Sequence, residues 1–276
     1  MGGAALKIGS IRLGDGAPLA LIGGLNIIEA EDDCLEIARS LRDLAERHEL
    51  PLVFKASFDK ANRSSFKSFR GPGLDEGLRV LARVKTEVGL PVTTDVHEPW
   101  QAKPIAEVVD CLQVPAFLCR QTDLVAACAA TGLPLNFKKG QFMAPLDMRH
   151  AVEKARHFGA LDVFVTERGF AFGYNDLVVD FRGFMQMRSF APVCFDATHA
   201  AQHPGGGDGS THGDRTNVSP LARAAVAAGI DALFLEIHPD PERAPCDGPS
   251  QIDFETADRL LAEVVAVDRT LRRHSG

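Results

Sequence analysis

The stretch that decides the fold is LALIGGLNIIEAEDDCLEIARSLRDLAERHELPLVFK, residues 19–55. Leu19 to Leu25 is apolar on both faces, as a strand buried on both sides must be. Asp32 to His48 reads as a helix, because Leu35, Ala38, Leu41, Leu44 and Ala45 recur at helical spacing. Leu52 to Phe54 then returns as a second apolar strand. Strand, helix and strand in this order form a parallel βαβ unit, and polar residues, Asn26 and Lys55, come directly after the two strands.

The same unit repeats along the chain. Further strands are expected at Pro91 to Asp95, Cys111 to Val114, Pro134 to Phe137, Asp162 to Val165, Pro192 to Asp196 and Ala232 to Ile237. Helices are expected at Asp75 to Val88, Trp100 to Val108, Thr122 to Thr131, Leu146 to Phe158, Ser219 to Ala228 and Glu255 to Arg273, with a weaker helical stretch near Asn175 to Met187. Eight βα units in a row predict an α/β fold closed into a TIM (β/α)8 barrel. An open doubly wound sheet would need a glycine fingerprint after the first strand, and none is present. The 276 residues match one such domain spanning 1–276. Leu6 to Leu13, followed by Gly14 to Gly16, reads as a short N-terminal hairpin closing the barrel bottom.

Composition narrows the function. The chain is 45% hydrophobic and 24% charged with a formal net charge of −7, which argues against general nucleic-acid binding. No apolar run reaches the roughly 18 residues of a membrane span. The N-terminus has no basic stretch before an apolar core, so a cytoplasmic protein is expected. The six cysteines, at 34, 111, 119, 128, 194 and 246, form no CxxC pair and are expected to be reduced. The glycine-rich stretch Gly205 to Gly209 lacks a P-loop ending and reads as a mobile loop acting as a lid.

Residues at the strand C-termini carry the chemistry, because those ends form the working face of such a barrel. They are Asn26; Lys55 and Ser57; Asp95 and His97; Gln113; Asn136 and Lys138; Glu167 and Arg168; Asp196 and His199; Glu236 and His238. Burying so many polar groups without partners would cost several kcal/mol each, so they are expected to converge on a polar ligand. Lys55, Lys60, Lys138 and Arg168, with Arg63 in the same loop as Lys60, would repel one another unless an anion neutralised them. More than one anionic group on the ligand is therefore expected. Asn26, His199, Glu236 and Asp247 form another constellation. Three of these could ligate a divalent metal, but Asn26 offers only a weak amide oxygen, so no metal and no cofactor are expected.

Six stretches then resemble the 3-deoxy-D-manno-octulosonate 8-phosphate synthase family. They are FKASFDKANRSSFKSFRGPG (54–73), LQVPAFLCRQTDL (112–124), NFKKGQF (136–142), TERGFAFGYNDLVVD (166–180), FDATHAAQ (195–202) and HPDPERAPCDGPSQ (238–251). The resemblance implies a TIM barrel, usually a homotetramer. It also implies condensation of phosphoenolpyruvate with D-arabinose 5-phosphate and water, giving the eight-carbon sugar acid phosphate and inorganic phosphate for lipopolysaccharide synthesis. By motif, Lys60, Lys138 and Arg168 would bind phosphoenolpyruvate, with Lys55, Ser57, Gln113, Gln141 and the backbone of Ala116 and Phe117 beside them. Asn62, Arg63 and Ser64 would take the sugar phosphate, and Arg63 and Ser64 would reach a neighbouring subunit's site. Asp95 would contact the sugar. Asn26, His199, Gln202, Glu236 and Asp247 would surround the reacting carbons and the attacking water.

The family divides by metal use. Metal-dependent members carry Cys at the position of Asn26, whereas Asn there, with Cys before the DGP motif, marks the metal-independent class. Asn26 and Cys246-Asp247-Gly248-Pro249 resemble the latter. The chain departs from the family at Phe170, where a small residue or Thr is usual, and in the loop 203–217, whose pattern is closer to some metal-dependent members. The related enzyme that uses erythrose 4-phosphate typically reads KPRTS in its sugar loop, where this chain reads Lys60-Ala61-Asn62-Arg63-Ser64-Ser65. A sialic-acid-type synthase and a non-catalytic phosphosugar-binding barrel are weaker alternatives, since the cations and His199 are all in place.

Overall fold

A computed structural model describes residues 5–205 and 212–273. Eight parallel strands close into a barrel in chain order. They are β1 (Ala20–Gly24), β2 (Leu52–Lys55), β3 (Val92–Asp95), β4 (Cys111–Val114), β5 (Leu135–Lys138), β6 (Val163–Glu167), β7 (Val193–Asp196) and β8 (Ala232–Glu236). The ring closes where β8 pairs with β1, Ala232 opposite Ala20 and Glu236 opposite Gly24. Gly24 is required at that seam, because a Cβ there would collide with the Lys55 carbonyl oxygen.

Between the strands lie α1 (Glu31–Arg47), α2 (Leu74–Arg83), α3 (Ala102–Ala106), α4 (Thr122–Ala129), α5 (Met148–His157), α6 (Arg182–Arg188) and α7 (Val218–Ala228), and α8 (Phe254–Arg273) comes after β8. α1 shows why such helices form here. Glu31, Asp32 and Asp33 oppose the positive end of its dipole, and Cys34, Leu35, Ile37, Ala38, Leu41, Leu44 and Ala45 make one buried stripe.

The period-2 alternation of the strands separates two cores. Leu21, Phe54, Val92, Leu112, Phe137, Val165, Phe195 and Leu235 face outward and pack under the helices. Ile22, Val53, Cys111, Phe164, Cys194 and Phe234 face inward. The N-terminal hairpin, Leu6–Ile8 paired with Ile11–Leu13, inserts Leu6, Ile8, Ile11 and Leu13 into this inner cluster. It closes the barrel at the end opposite the strand C-termini, as expected from the sequence. All six cysteines are free and buried.

Two expectations need correction. Asn175 to Met187 is not one helix: Leu177–Val178 pairs with Phe170–Ala171 in a small hairpin, and α6 begins only at Arg182. Asp180 separates the two, accepting a hydrogen bond from the Arg182 backbone at 3.1 Å and ending the extended segment. Trp100 to Val108 shortens to a 3-10 turn at Pro99–Gln101 followed by α3, because Pro104 lacks the backbone donor that a continuous helix would bond to Trp100. In the expected glycine-rich lid, residues 206–211 lie outside the described residues.

Candidate active site

The inward positions change character along the barrel. Above the apolar floor the strand ends present Lys55, Asp95, Gln113, Lys138, Asp196 and Glu236, all buried. Above these opens a cavity of about 620 Å³. Lys55, Ser57, Lys60, Asn62, Arg63, Ser64, Asp95, Gln113, Ala116, Phe117, Lys138, Gln141, Arg168, His199, Gln202 and Asp247 all line it. Asn26 and Glu236 do not reach the wall. They lie just beneath it, 2% and 0% exposed, joined to it through Asp247.

Asn26 is the hub of this lower layer. Its amide Nδ2 donates to Glu236 Oε2 at 2.6 Å and to Asp247 Oδ2 at 2.8 Å, while its Oδ1 accepts from the Cys246 thiol at 2.7 Å. Lys60 Nζ donates to the same Asp247 oxygen at 2.8 Å. Burial alone would lift the Asp247 carboxyl, but Lys60 and His199 hold it well below the usual carboxylate range. Burial works equally against the Lys60 ammonium, and Asp247 more than restores it, raising it above the ordinary lysine value. Burial pushes the Cys246 thiol up to about 12, so it stays protonated and can donate. Asp247 holds this position with φ of +53°, a left-handed conformation uncommon for a residue with a Cβ.

His199, Glu236 and Asp247 bring one ligand atom each within 4.8 Å of one another, as a divalent-cation site would require. The two carboxylates of this trio already carry other donors. Two of the carboxylate oxygens face the Asn26 amide protons, and one of these also takes the Lys60 ammonium. Those donors supply the positive partners that a cation would otherwise provide.

A second buried group sits across the mouth. Asp196 accepts the His199 backbone N–H on Oδ1 at 2.8 Å, and its Oδ2 lies 2.7 Å from His199 Nδ1, a close contact without hydrogen-bond alignment. The same Oδ2 takes the Lys138 ammonium, which also lies 3.6 Å from the centre of the Phe234 ring. Burial would raise Asp196, but His199 and Lys138 pull it well below the usual range. Burial wins at Lys138 and at Arg168, drawing both below their ordinary values despite nearby carboxylates. Arg168 spreads its fork to Gln141 Oε1 at 3.2 Å and Gln202 Oε1 at 3.0 Å. Both amides are neutral, so the guanidinium keeps its charge for an anionic ligand.

Asp95 ends a buried relay. It accepts from Ser57 and from Gln113 Nε2, whose Oε1 accepts from Asn136, whose Oδ1 in turn accepts from Thr166. Burial would lift Asp95, yet Lys55, His97 and these donors hold it low. A fixed carboxylate lining the cavity suits hydroxyl groups of a polyol. Asn62 and Ser64 are exposed and Arg63 half-buried, so the 60–65 loop forms the outer lip.

Most of the strand-end polar residues converge, but two point elsewhere. His238 turns outward, its Nε2 3.0 Å from Glu29. Glu167 also faces outward, toward Lys139 at 3.2 Å. Asp196 has more to do than its sequence position suggested. The alternation within Phe195-Asp196 was the available signal: Phe195 belongs to the outer core, so Asp196 must point into the barrel.

The sequence matches the DAHP synthetase I family over residues 4–272. The chain belongs to that family. Within it, the chain is 54% identical over 262 residues to a 2-dehydro-3-deoxyphosphooctonate aldolase of a Cyanothece species, covering 95% of this chain and 96% of the relative. It is 55% identical over 263 residues to the protein of the same description from a Synechococcus species, at 95% and 93% coverage. A third, from Trichlorobacter lovleyi, is 52% identical over 268 residues, at 97% and 98%. This member of the DAHP synthetase I family thus matches these relatives over nearly its whole length, with most of its strand-end polar residues gathered at one barrel mouth.

Proposed function

We propose that the chain is a 3-deoxy-D-manno-octulosonate 8-phosphate synthase, condensing phosphoenolpyruvate with D-arabinose 5-phosphate and water and releasing inorganic phosphate. The observation that carries this reading is a single cavity lined by Lys55, Lys60, Lys138 and Arg168 directly above the Asn26–Glu236–Asp247 cluster. The three anionic groups of the two substrates match those cations, and binding them offsets the desolvation that Lys138 and Arg168 carry.

The C3 carbon of phosphoenolpyruvate attacks the sugar aldehyde carbon, and a C–C bond forms. Positive charge grows at C2, where water adds; the C2–O bond to phosphate then breaks and the phosphate departs with the bonding pair. Lys138 and Arg168 hold the phosphate and carboxylate, and Lys60 polarises the aldehyde oxygen. Around this point Asp247 is committed to Lys60 and Asn26, and beneath the wall Glu236 Oε2 is committed to Asn26. Glu236 Oε1 accepts no hydrogen bond and lies 3.7 Å from His199 Nε2. His199, which lines the cavity, orients the water and takes its proton, and Glu236 Oε1 behind it stands ready to balance the charge on the ring.

We further assign the chain to the metal-independent class, because the Asn26 amide and Lys60 ammonium satisfy the carboxylates that a cation would need. Its exposed sugar-phosphate lip, with Asn62, Arg63 and Ser64, fits a homotetramer in which a neighbour completes each site. One domain over 1–276, a cytoplasmic location and a role in lipopolysaccharide synthesis complete the proposal. Among the described residues, no helix is long and apolar enough to cross a membrane.

Phosphate release from phosphoenolpyruvate is the deciding assay, with arabinose 5-phosphate or erythrose 4-phosphate, each with and without EDTA. Release only with arabinose 5-phosphate and indifferent to EDTA is the expected result. Abolition by EDTA overturns the class, and release with erythrose 4-phosphate alone overturns the substrate.

A further inference from the structure

Lys138 and Lys139 are consecutive, and the pleat sends them to opposite sides of the barrel wall. Lys138 faces the cavity, whereas Lys139 is 0% exposed and does not line that cavity. Its ammonium is within 3.2 Å of Glu167 Oε1 and donates to the carbonyls of Gly140 and Met143 at 3.3 Å and of Gly169 at 3.2 Å. The Phe170 ring lies over it, 3.7 Å from centroid to nitrogen. Glu167 is also fully buried, and the same Oε1 accepts the backbone N–H groups of Arg168 at 2.9 Å and Gly169 at 2.7 Å.

A buried ion pair adds little net stability over an apolar pair of similar size. What this one does is geometric. Lys139 gathers the turn that carries Gln141, and Glu167 fixes the backbone that launches Arg168. A third tie, Ala171 N–H to the Gln141 carbonyl at 2.9 Å, joins the two loops directly. Gln141 and Arg168 then meet inside the cavity at 3.2 Å.

We propose that Lys139 and Glu167 are positioning residues for the enol-phosphate half of the site, setting the Arg168 fork and Gln141 from behind the wall without touching the ligand. The proposal rests on the function given above. It also accounts for Phe170, whose ring covers the Lys139 ammonium. The sugar half of the cavity, around Asp95 and the 60–65 loop, is built on β2 and β3 and receives no contact from this pair.

The test uses the full-length double variant Lys139→Met with Glu167→Gln, which leaves no unpaired buried charge. Phosphoenolpyruvate binding is titrated calorimetrically without sugar, and KM is measured for both substrates beside the thermal midpoint. A misplacement of about 1 Å in a binding group can cost on the order of a hundredfold, so a ten- to hundredfold loss of phosphoenolpyruvate affinity is expected, with KM for the sugar phosphate within about twofold of the parent. Lys139→Arg keeps the charge opposite Glu167 but presents a planar fork to carbonyls that three tetrahedral donors now satisfy. It serves if the double variant does not fold, and should show a smaller shift of the same kind. Unchanged phosphoenolpyruvate affinity, or equal loss for both substrates, overturns the proposal. Failure of the parent protein to bind phosphoenolpyruvate overturns the function on which it rests.

Discussion

Replacing Asn26 by Cys removes the amide that bridges Glu236 and Asp247. Of its three hydrogen bonds, the two it donates, 2.6 and 2.8 Å long, are made to carboxylates inside the protein. Bonds to charged groups contribute about 1.5–3 kcal/mol each, so the gross loss is about 3–6 kcal/mol. Lys60, 2.8 Å from Asp247, and Lys55, 3.7 Å from Glu236, stay in place and offset part of it. A net loss of about 2–4 kcal/mol lowers the thermal midpoint of a chain this size by about 5–10 °C. The new thiol also completes a donor set with His199, Glu236 and Asp247, whose ligand atoms already lie within 4.8 Å of one another. A divalent ion at about a thousand times its dissociation constant would then return about 4 kcal/mol. The assay is thermal denaturation of parent and Asn26→Cys under reductant, with EDTA or added metal, beside elemental analysis after dialysis. A metal-stripped variant that melts like the parent would refute the bridging role of the amide. A variant that retains no metal and ignores its addition would refute the shared geometry.

Other outcomes rest on the same contacts. Lys138→Ala should lower turnover roughly a hundredfold or more while circular dichroism stays unchanged, since it removes a donor aimed at the ligand; unaltered kinetics would remove Lys138 from the site. Asp95, Asp196 and Asp247 have folded pKa values depressed below the unfolded carboxylate value of about 3.9. Their stabilisation is complete above that value and is lost as pH falls through the folded ones, so the midpoint should hold from neutrality to about pH 5 and fall in stronger acid. Asp247→Asn should flatten part of that acid branch, read from midpoints across the pH series. All six thiols are buried, and burial pushes those of Cys34, Cys111, Cys128, Cys194 and Cys246 up to about 12. A thiol reagent at pH 8 should label none of them until denaturant is added, as mass spectrometry would show.

The barrel was readable because its strands are buried on both faces and so appear as short continuous apolar runs. Residues 19–25 and 232–237 are clear examples, and the hairpin at 6–13 was equally plain. The segment 175–187 was harder. Leu177 and Val178 suit either a helix or a strand, and the deciding factor is pairing with Phe170 and Ala171, a contact that no local pattern carries. Among the proposed site residues, the cations were legible from their positions at strand ends. The hub role of Asn26 was not: the sequence groups it with His199, Glu236 and Asp247 but offers only its amide oxygen as a weak ligand, whereas in the fold its Nδ2 donates to both carboxylates. Glu167 was read as one more residue converging on the ligand and Lys139 was not singled out: beside Arg168 and Lys138 they look like more of the same charge cluster, and only the strand register places them behind the wall.

The hairpin under the barrel shapes traffic as well as packing. With Leu6, Ile8, Ile11 and Leu13 wedged among Ile22, Val53 and Phe164, the lower half of the bore is packed with apolar side chains and has a low dielectric. The charges above it are therefore screened from one direction only. Their field is pushed upward through the mouth, where it reaches an approaching dianion before contact. Everything that enters must also leave by that same opening, so a small departing anion has to pass whatever still occupies the rim. Cutting the hairpin away would do more than expose apolar surface: it would wet the bore and dull the pull on incoming ligand.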